Sequence, residues 1–229
     1  MRFRPLLWPS LIAVPAFCVL IALGTWQMER REWKLQLIEN MHARLSESEV
    51  PAETLDRESG DVDYRPVFTE GRFDHKRTLR WIVPGPHGEP AFHVLTPLMR
   101  EGAAPIIVDR GFVPTELKDR VTEPTERLTV HGIARESQGR GAFTPKDDQA
   151  NRLVFARNVP AMASLMGLAQ VAPFFIEASR APGPVSYPLG GQTQVQLRNE
   201  HLQYALTWYG LAGALLVVYL LYHRSRGRL

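Results

Sequence analysis

The chain has 229 residues, 45% of them hydrophobic, and a formal net charge of +3 at neutral pH. Between residues 25 and 200 lie 22 of the 27 Lys and Arg and all 24 Asp and Glu, so this segment has a net charge of −2 and no nucleic acid is expected as a partner. The single cysteine, Cys18, excludes an internal disulfide and a thiolate metal cluster.

The first predicted element is a transmembrane helix, assigned to residues 1–24. Residues 6–24 contain no charged side chain, and about 20 apolar residues cross a ~30 Å hydrocarbon core. Pro9 and Pro15 are tolerated in a membrane-spanning helix. A cleaved signal peptide is the alternative, but no small-residue cleavage site follows, since the apolar run continues into "TWQMERREWK".

The residues that follow predict a helix that continues out of the membrane. Trp26, Trp33, Leu37, Met41 and Leu45 recur at helical spacing, and Trp26 lies where an interfacial aromatic belt is expected. Residues 46–63 are polar and predict a loop.

A β-rich segment follows. The short runs "YRPVFTEGRF", "TLRWIVPG", "AFHVLTPL", "APIIVDRGFVP" and "RLTVHGIAR" are joined by links too brief for crossover helices, which favours antiparallel strands. "NVPAMASLMGLA" predicts one helix and "PFFIEA" a later strand. In "VDRGFVP", Arg110 and Gly111 are interpreted as a strand end followed by a tight turn, with a docking loop as the alternative.

The second transmembrane helix is predicted in residues 201–229, because residues 202–222 carry no charge. Arginines flank the outer ends of both apolar runs, and positive flanks favour the cytoplasm, so both termini are expected there. The fold class is therefore an α+β membrane protein. A mostly antiparallel β-sheet domain, residues 25–200, lies outside the membrane between the two helices.

The sequence lacks the motifs of the common enzyme classes. It contains no GxSxG elbow and no phosphate-binding loop, and Asp147 and Asp148 lie in "TPKDDQAN", which is typical of a turn. No two of the seven histidines have the spacing of a metalloprotease helix. No Asp or Glu is spaced from a histidine in a way that would complete a set of metal ligands. His87 and His223 are expected to face solvent, and His75 and His93 to be surface or satisfied residues. The chain is therefore not expected to be an enzyme.

His201 differs from the other histidines because it lies at the start of the second predicted transmembrane helix. On a helix, His201, Tyr204 and Trp208 fall along one face, which places an imidazole beside two aromatic rings near the membrane surface. A neutral imidazole above aromatic surface suits a haem iron and its porphyrin. The alternative is an ordinary interfacial belt with a histidine that reaches toward water.

Several motifs together resemble the surfeit-locus family of cytochrome c oxidase assembly factors, bacterial type. They are "LGTWQMERREWKLQLI", "YRPV", "GRFDH", "VLTP", "VDRGFVP" and "GGQTQVQLRNEHLQYALTWYGL". The resemblance implies a two-span protein that binds haem a and aids its insertion into oxidase subunit I. His201 matches the proposed haem ligand, Tyr204 and Trp208 would be porphyrin walls, and Trp26 and Gln27 would line the site from the other span. The implied partners are subunit I, the enzymes of haem a synthesis and the lipid bilayer.

Two features qualify the resemblance. Asp147, Asp148, Val154 and Asn158 depart from the residues usual in the family, so no function of that loop is carried over from relatives. "MRFRPLLW" enters the span at once, leaving no room for a transit peptide, so a bacterial plasma membrane with a periplasmic domain is expected. The alternative function is a membrane-anchored scaffold that stabilises an oxidase intermediate without carrying haem.

Overall fold

The computed structural model describes residues 5–56, 62–84, 88, 90–193 and 199–227. The chain forms two compact units, one made of Met1–Met41 with Gln196–Leu229 and the other of His42–Val195. Its helices are α1 (Leu7–Leu45), α2 (Ala52–Leu55), α3 (Val159–Met166) and α4 (His201–Ser225). Its strands are β1 (Val50–Pro51), β2 (Arg65–Phe73), β3 (Leu79–Pro84), β4 (Pro90–Met99), β5 (Ile106–Pro114), β6 (Leu128–Glu136), β7 (Leu153–Val154) and β8 (Phe174–Ala178).

Helices α1 and α4 are both long and apolar enough to cross a membrane. In their most apolar stretches only 6% and 11% of the residues are buried, unlike a core helix of a soluble protein, which is mostly buried. With a rise of about 1.5 Å per residue, α1 is roughly 58 Å long, about twice the hydrocarbon core. The predicted continuation of the first helix past Gly24 is thus confirmed, and so is the arrangement of two candidate membrane helices around a sheet domain.

The second unit contains an eight-stranded sheet in the order β1-β2-β6-β8-β5-β4-β3-β7. An additional pairing between β2 and β4 closes five of these strands, β2, β6, β8, β5 and β4, into a ring. The long pairings are antiparallel except for β5 with β8, while the two-residue strands β1 and β7 pair in parallel with their neighbours. The sheet is therefore mixed, with the antiparallel majority that was predicted.

Alternation along the strands places their side chains in separate apolar clusters. In β5, Ile106 and Val108 join the apolar cluster that also holds Phe174 and Ile176 of β8. Ile107 points the other way and packs in a second cluster with α3. Because side chains alternate between faces of a strand, both faces of β5 are buried, which explains why "APIIV" has an unbroken apolar run.

The six predicted strands are all present, and the predicted helix is α3, three residues shorter at its C-terminal end. Asn158 caps α3 by accepting a hydrogen bond from the Ala161 N–H, and Gly167 ends it in the left-handed region with φ of 67°. The predicted loop 46–63 instead contains β1 and α2 within its described part.

The interpretation of "VDRGFVP" as a strand end and turn is wrong. Arg110 and Gly111 lie inside β5, and Arg110 is buried. Gly111 has φ of +119°, and a Cβ there would collide with the backbone of Leu189, which pairs with Phe112. The segment is an irregular strand against which a second backbone packs closely, so it forms no docking loop.

Candidate functional site

Helices α1 and α4 pack against each other in opposite directions within the first unit, although the sheet domain separates them in the sequence. This antiparallel pair is called the hairpin below. Within the described residues, polar contacts join the two helices along their length, and the two residue numbers of each contact below add up to nearly the same value, as antiparallel packing requires. The contacts are Leu6 with His223, Ser10 with Tyr219, Thr25 with Tyr209, and Gln27 with His201. The N-terminal end of α1 and the C-terminal end of α4 therefore lie next to each other.

Small residues let the two helices approach closely. Ala205 and Ala212 of α4 are buried, and so is Gly24 of α1. A Cβ on Gly24 would lie 2.5 Å from Cε1 of Tyr209, so only glycine leaves room for that ring. Such small residues are typical of contacts between membrane helices, where packing rather than the hydrophobic effect holds the helices together.

At the far end of the hairpin, the first residue of α4 meets α1. Nδ1 of His201 lies 2.7 Å from Oε1 of Gln27. An amide oxygen can only accept, so the imidazole donates from Nδ1 and the lone pair of the neutral ring is on Nε2. A histidine held in this way by its second nitrogen is the usual arrangement of a metal ligand.

This pair borders an open groove of about 280 Å³. The described residues that line it are Gln27, Lys34, Glu200, His201 and Tyr204. The groove thus combines one imidazole, one aromatic ring, a cation and an anion. Such a set can coordinate an iron through Nε2 and pair with a carboxylate of the same ligand through the ammonium group of Lys34.

The structure brings together three of the five residues that the sequence assigned to the site: Gln27, His201 and Tyr204. Trp26 is exposed and Trp208 is half-buried, and neither is among the lining residues. The sequence analysis missed Lys34 and Glu200. Lys34 follows Gln27 by seven residues, which is two helical turns along one face, so helical periodicity would have found it.

The pair lies where the apolar part of α1 ends. From Leu7 to Gln27 the helix rises roughly 30 Å, about the thickness of the hydrocarbon core, and Glu29 is the first charged residue of α1. An imidazole at this depth can meet a polar partner or water.

Three further histidines were also assigned an environment from the sequence, and the assignment of His223 is wrong. His223 was expected to face solvent, but it is fully buried on α4, which continues to Ser225. His93 lies 2.9 Å from both carboxylate oxygens of Asp109, a partner that spacing did not reveal because it is on the adjacent strand. His75 has Nε2 2.8 Å from the carbonyl oxygen of Pro124, whereas its buried Nδ1 has no hydrogen-bond partner among the described residues. His87 lies outside the described residues.

Within the described ranges, no group of three or more His, Cys, Asp and Glu could hold a metal ion.

Comparison with known proteins places the whole arrangement in a family. A model of the SURF1 family matches residues 14–213, which include most of α1, the sheet domain and the first half of α4 with His201. The chain is 37% identical over 231 residues to Surfeit locus protein 1 of Gallus gallus, covering 89% of this chain and 70% of the relative. It is 36% identical over 214 residues to the protein of that name from Xenopus tropicalis, covering 84% and 68%. It is 34% identical over 225 residues to the one from Homo sapiens, covering 89% and 72%.

The family match therefore spans most of the chain, and the fold has the two candidate membrane helices and the mixed sheet domain described above. The chain belongs to the SURF1 family, the cytochrome c oxidase assembly factors.

Proposed function

We propose that this assembly factor binds haem a in the groove at the His201 end of the hairpin and aids its insertion into subunit I of the oxidase. The observation that carries the proposal is the hydrogen bond from His201 Nδ1 to Gln27, which leaves Nε2 as the free ligand atom beside the groove.

The residues present fit such a ligand. His201 Nε2 would coordinate the iron, the Tyr204 ring would flank the porphyrin, and Lys34 would pair with a propionate. Trp26 and Trp208 are near the lining residues in the sequence but do not line the groove. They would contact only the periphery of a ligand as large as haem. Haem supplies no chemistry to this chain, because here it is cargo.

The openness of the groove suits a carrier better than a resident cofactor site. One protein imidazole leaves the sixth position of the iron for water or for a ligand from the receiving protein. A haem bound by two protein ligands would be harder to release. We infer that the chain has no catalytic reaction of its own and acts by binding and transfer.

The proposed location follows from charge and topology. Both termini would face the cytoplasm of a bacterium, where basic flanks such as Arg224 and Arg226 are favoured, and the sheet domain would lie in the periplasm. The groove then opens at the outer surface of the inner membrane. The expected partners there are subunit I and the enzymes of haem a synthesis, which supply the cargo.

The test is the haem content of the purified full-length protein after co-expression with haem a synthesis. His201→Ala is expected to lose haem a, seen as loss of the Soret band, while its amount in the membrane is unchanged. His131→Ala is the matched control, because His131 is an exposed histidine of the sheet domain. Equal haem content in the His201→Ala variant and the wild type would refute the haem site.

The same variants separate the carrier from the scaffold alternative. A carrier that has lost its haem ligand should fail to support oxidase maturation, measured as haem a in the assembled oxidase. A scaffold without haem should support maturation at the wild-type level in the His201→Ala variant, provided that the protein is present in the membrane.

A further inference from the structure

A second cavity, of about 680 Å³, opens in the sheet domain and has no part in the proposed function. Its volume lies within the range of small-molecule sites, roughly 300 to 1,000 Å³. Its lining combines apolar and aromatic side chains with ionisable groups, among them Trp81, Val83, His93, Phe112 and Glu177. Apolar walls with a few polar groups are usual in ligand sites, so the chemistry of the polar groups decides which ligand fits.

One polar group of the lining is a histidine in a fixed orientation. Nδ1 of His93 lies 2.9 Å from both carboxylate oxygens of Asp109, which is almost fully buried. An ionised carboxylate only accepts hydrogen bonds, so Nδ1 is the donor. The His93 ring stands edge-on to Trp81 and Phe112, with ring centroids 5.1 Å and 6.1 Å away. These contacts set both the orientation of the ring and the nitrogen that carries its proton.

The other ring nitrogen of His93 is an open hydrogen-bond acceptor. When a neutral imidazole carries its proton on Nδ1, the lone pair is on Nε2. The His93 side chain is 14% exposed and lines the cavity, and no described residue donates to its Nε2. A polar atom that loses water without gaining a partner costs free energy, so a ligand that fills this cavity must bring a donor to Nε2.

The charged groups of the lining already balance one another. Arg135 and Arg157 both donate to Oε1 of Glu177, and Arg157 also lies 3.6 Å from Oδ2 of Asp109. The hydroxyl of Thr193 donates to Oε2 of Glu177 at 2.7 Å. Burial alone would raise the pKa of Glu177, but the two guanidinium charges and the Thr193 hydrogen bond hold this pKa below its usual value. Two cations thus face two anions whose oxygens already have donors.

This balance favours an uncharged ligand. A charged molecule would give up its hydration on entering the cavity and would meet no unbalanced charge of the opposite sign. A neutral molecule with a flat ring and a single donor avoids that cost, since its donor satisfies Nε2 of His93 and its ring covers the apolar part of the lining.

We propose that this cavity binds a phenol, that is, a neutral aromatic molecule with a hydroxyl group. The hydroxyl donates to Nε2 of His93, and the ring packs against Trp81 and Phe112. These residues all belong to the sheet domain, so binding in this cavity is independent of haem binding at the hairpin.

The test compares three probes with the same ring: para-fluorophenol, para-fluoroanisole, which keeps the oxygen but cannot donate, and the anion para-fluorobenzoate. Each is titrated into the full-length protein in lipid nanodiscs, with empty nanodiscs as the blank, and binding is read from the fluorine NMR line width. The buffer is at about pH 8, above the ordinary pKa of an imidazole and below that of a phenol. We expect fluorophenol to bind about tenfold more tightly than either other probe, because only its hydroxyl satisfies Nε2 without adding a charge. Failure of fluorophenol to bind, or equal or tighter binding of the anisole or the benzoate, would overturn the proposal.

A variant of His93 tests the acceptor itself. His93→Asn keeps an N–H donor for Asp109 in the place of Nδ1, but it has no atom in the place of Nε2. This variant should bind fluorophenol about tenfold less tightly than the wild type and no better than it binds fluoroanisole. His131→Asn is the matched control, because it makes the same change at an exposed histidine that pairs with Glu49, and it should leave both affinities unchanged. A retained preference for fluorophenol in His93→Asn would contradict the assignment of Nε2.

A second variant locates the probe without altering a polar group. Val83→Phe adds a ring to the cavity lining and should weaken fluorophenol binding about tenfold or more. If His93→Asn lowers the thermal stability of the sheet domain, Val83→Phe decides. Wild-type affinity in the Val83→Phe variant would show that fluorophenol binds elsewhere and would overturn the proposal.

Discussion

The imidazole of His223 accepts a hydrogen bond from the backbone N–H of Leu6 at 3.0 Å, although the two residues are 217 positions apart. Its other nitrogen, Nδ1, donates to the carbonyl oxygen of Tyr219 at 2.8 Å. The first N–H groups of a helix have no partner within that helix, so a side chain from α4 satisfies one at the start of α1. The neutral imidazole thus connects the N-terminal end of α1 to the C-terminal end of α4.

The first prediction concerns the hydrogen bond from the Leu6 N–H to His223. His223→Phe fills the same space but accepts no hydrogen bond, so an unsatisfied N–H should cost about 1 to 3 kcal/mol locally. Hydrogen–deuterium exchange at the Leu6 amide should become faster in this variant. Tyr222→Phe, a change at the exposed neighbouring residue, is the control and should leave the exchange unaltered. Wild-type exchange in His223→Phe would show that another group protects the amide.

The second prediction concerns Gln27 as the residue that positions His201. Gln27→Leu removes the acceptor for Nδ1–H, so haem affinity should fall about 10- to 100-fold, the usual effect of losing the partner of a metal-binding histidine. Gln27→Glu restores an acceptor and should recover binding, with a shifted Soret band. Met28→Leu on the neighbouring exposed position is the matched control. Retention of full affinity by Gln27→Leu would mean that His201 needs no such partner.

The third prediction concerns the pH dependence of stability. Because the folded-state pKa of Glu177 is lowered, its contribution to the free energy of unfolding is present above the pKa of an unfolded glutamate and is lost as the pH falls through the folded-state value. Wild-type stability should therefore decline on acidification. Glu177→Gln should remove part of that decline and should cost about 3 to 5 kcal/mol at neutral pH, since it leaves buried guanidinium charges without their partner.

Thermal unfolding of the sheet domain, followed by circular dichroism over a pH series, measures both effects. Thr193→Val is a graded comparison, since it removes one hydrogen bond to Glu177 and no charge. An acid-unfolding profile of Glu177→Gln that parallels the wild type would place the responsible carboxylate elsewhere.

The fourth prediction concerns the backbone at Gly111. Its φ of +119° is unfavourable for any side chain, and a Cβ would meet the backbone of Leu189 rather than a movable side chain. Gly111→Ala should destabilise the sheet domain by on the order of 3 kcal/mol or more, seen as a lower unfolding temperature. Gly139→Ala is the control, because a Cβ there meets nothing within 4 Å. Equal unfolding temperatures for the two variants would argue against a close approach of the Leu189 backbone to β5.

The long elements could be predicted from sequence because their patterns repeat. Uncharged runs of about 20 residues have few alternatives to a membrane helix, and the six longer strands are bounded by Gly and Pro. The two-residue strands β1 and β7 could not be predicted, since they contain too few residues to show a pattern and exist only by pairing with β2 and β3.

The sites were predicted less completely, for reasons of geometry. His201, Tyr204 and Gln27 were found because the first two share a helix face and the third lies where the partner helix passes. His93 and Asp109 are 16 positions apart, and only the register between β4 and β5 brings them together. His223 was misjudged because the arginines after it suggested a solvated tail, whereas the helix continues to Ser225 and turns the imidazole toward α1.

The outermost strands of the sheet have a consequence for self-association of the sheet domain. At one margin the chain contributes only Val50 and Pro51, and at the other only Leu153 and Val154. Proline carries no N–H, and two residues are too short a template for a neighbouring molecule to extend the hydrogen-bond ladder. Each outermost strand therefore offers a neighbouring copy only a short stretch of backbone on which to extend the sheet.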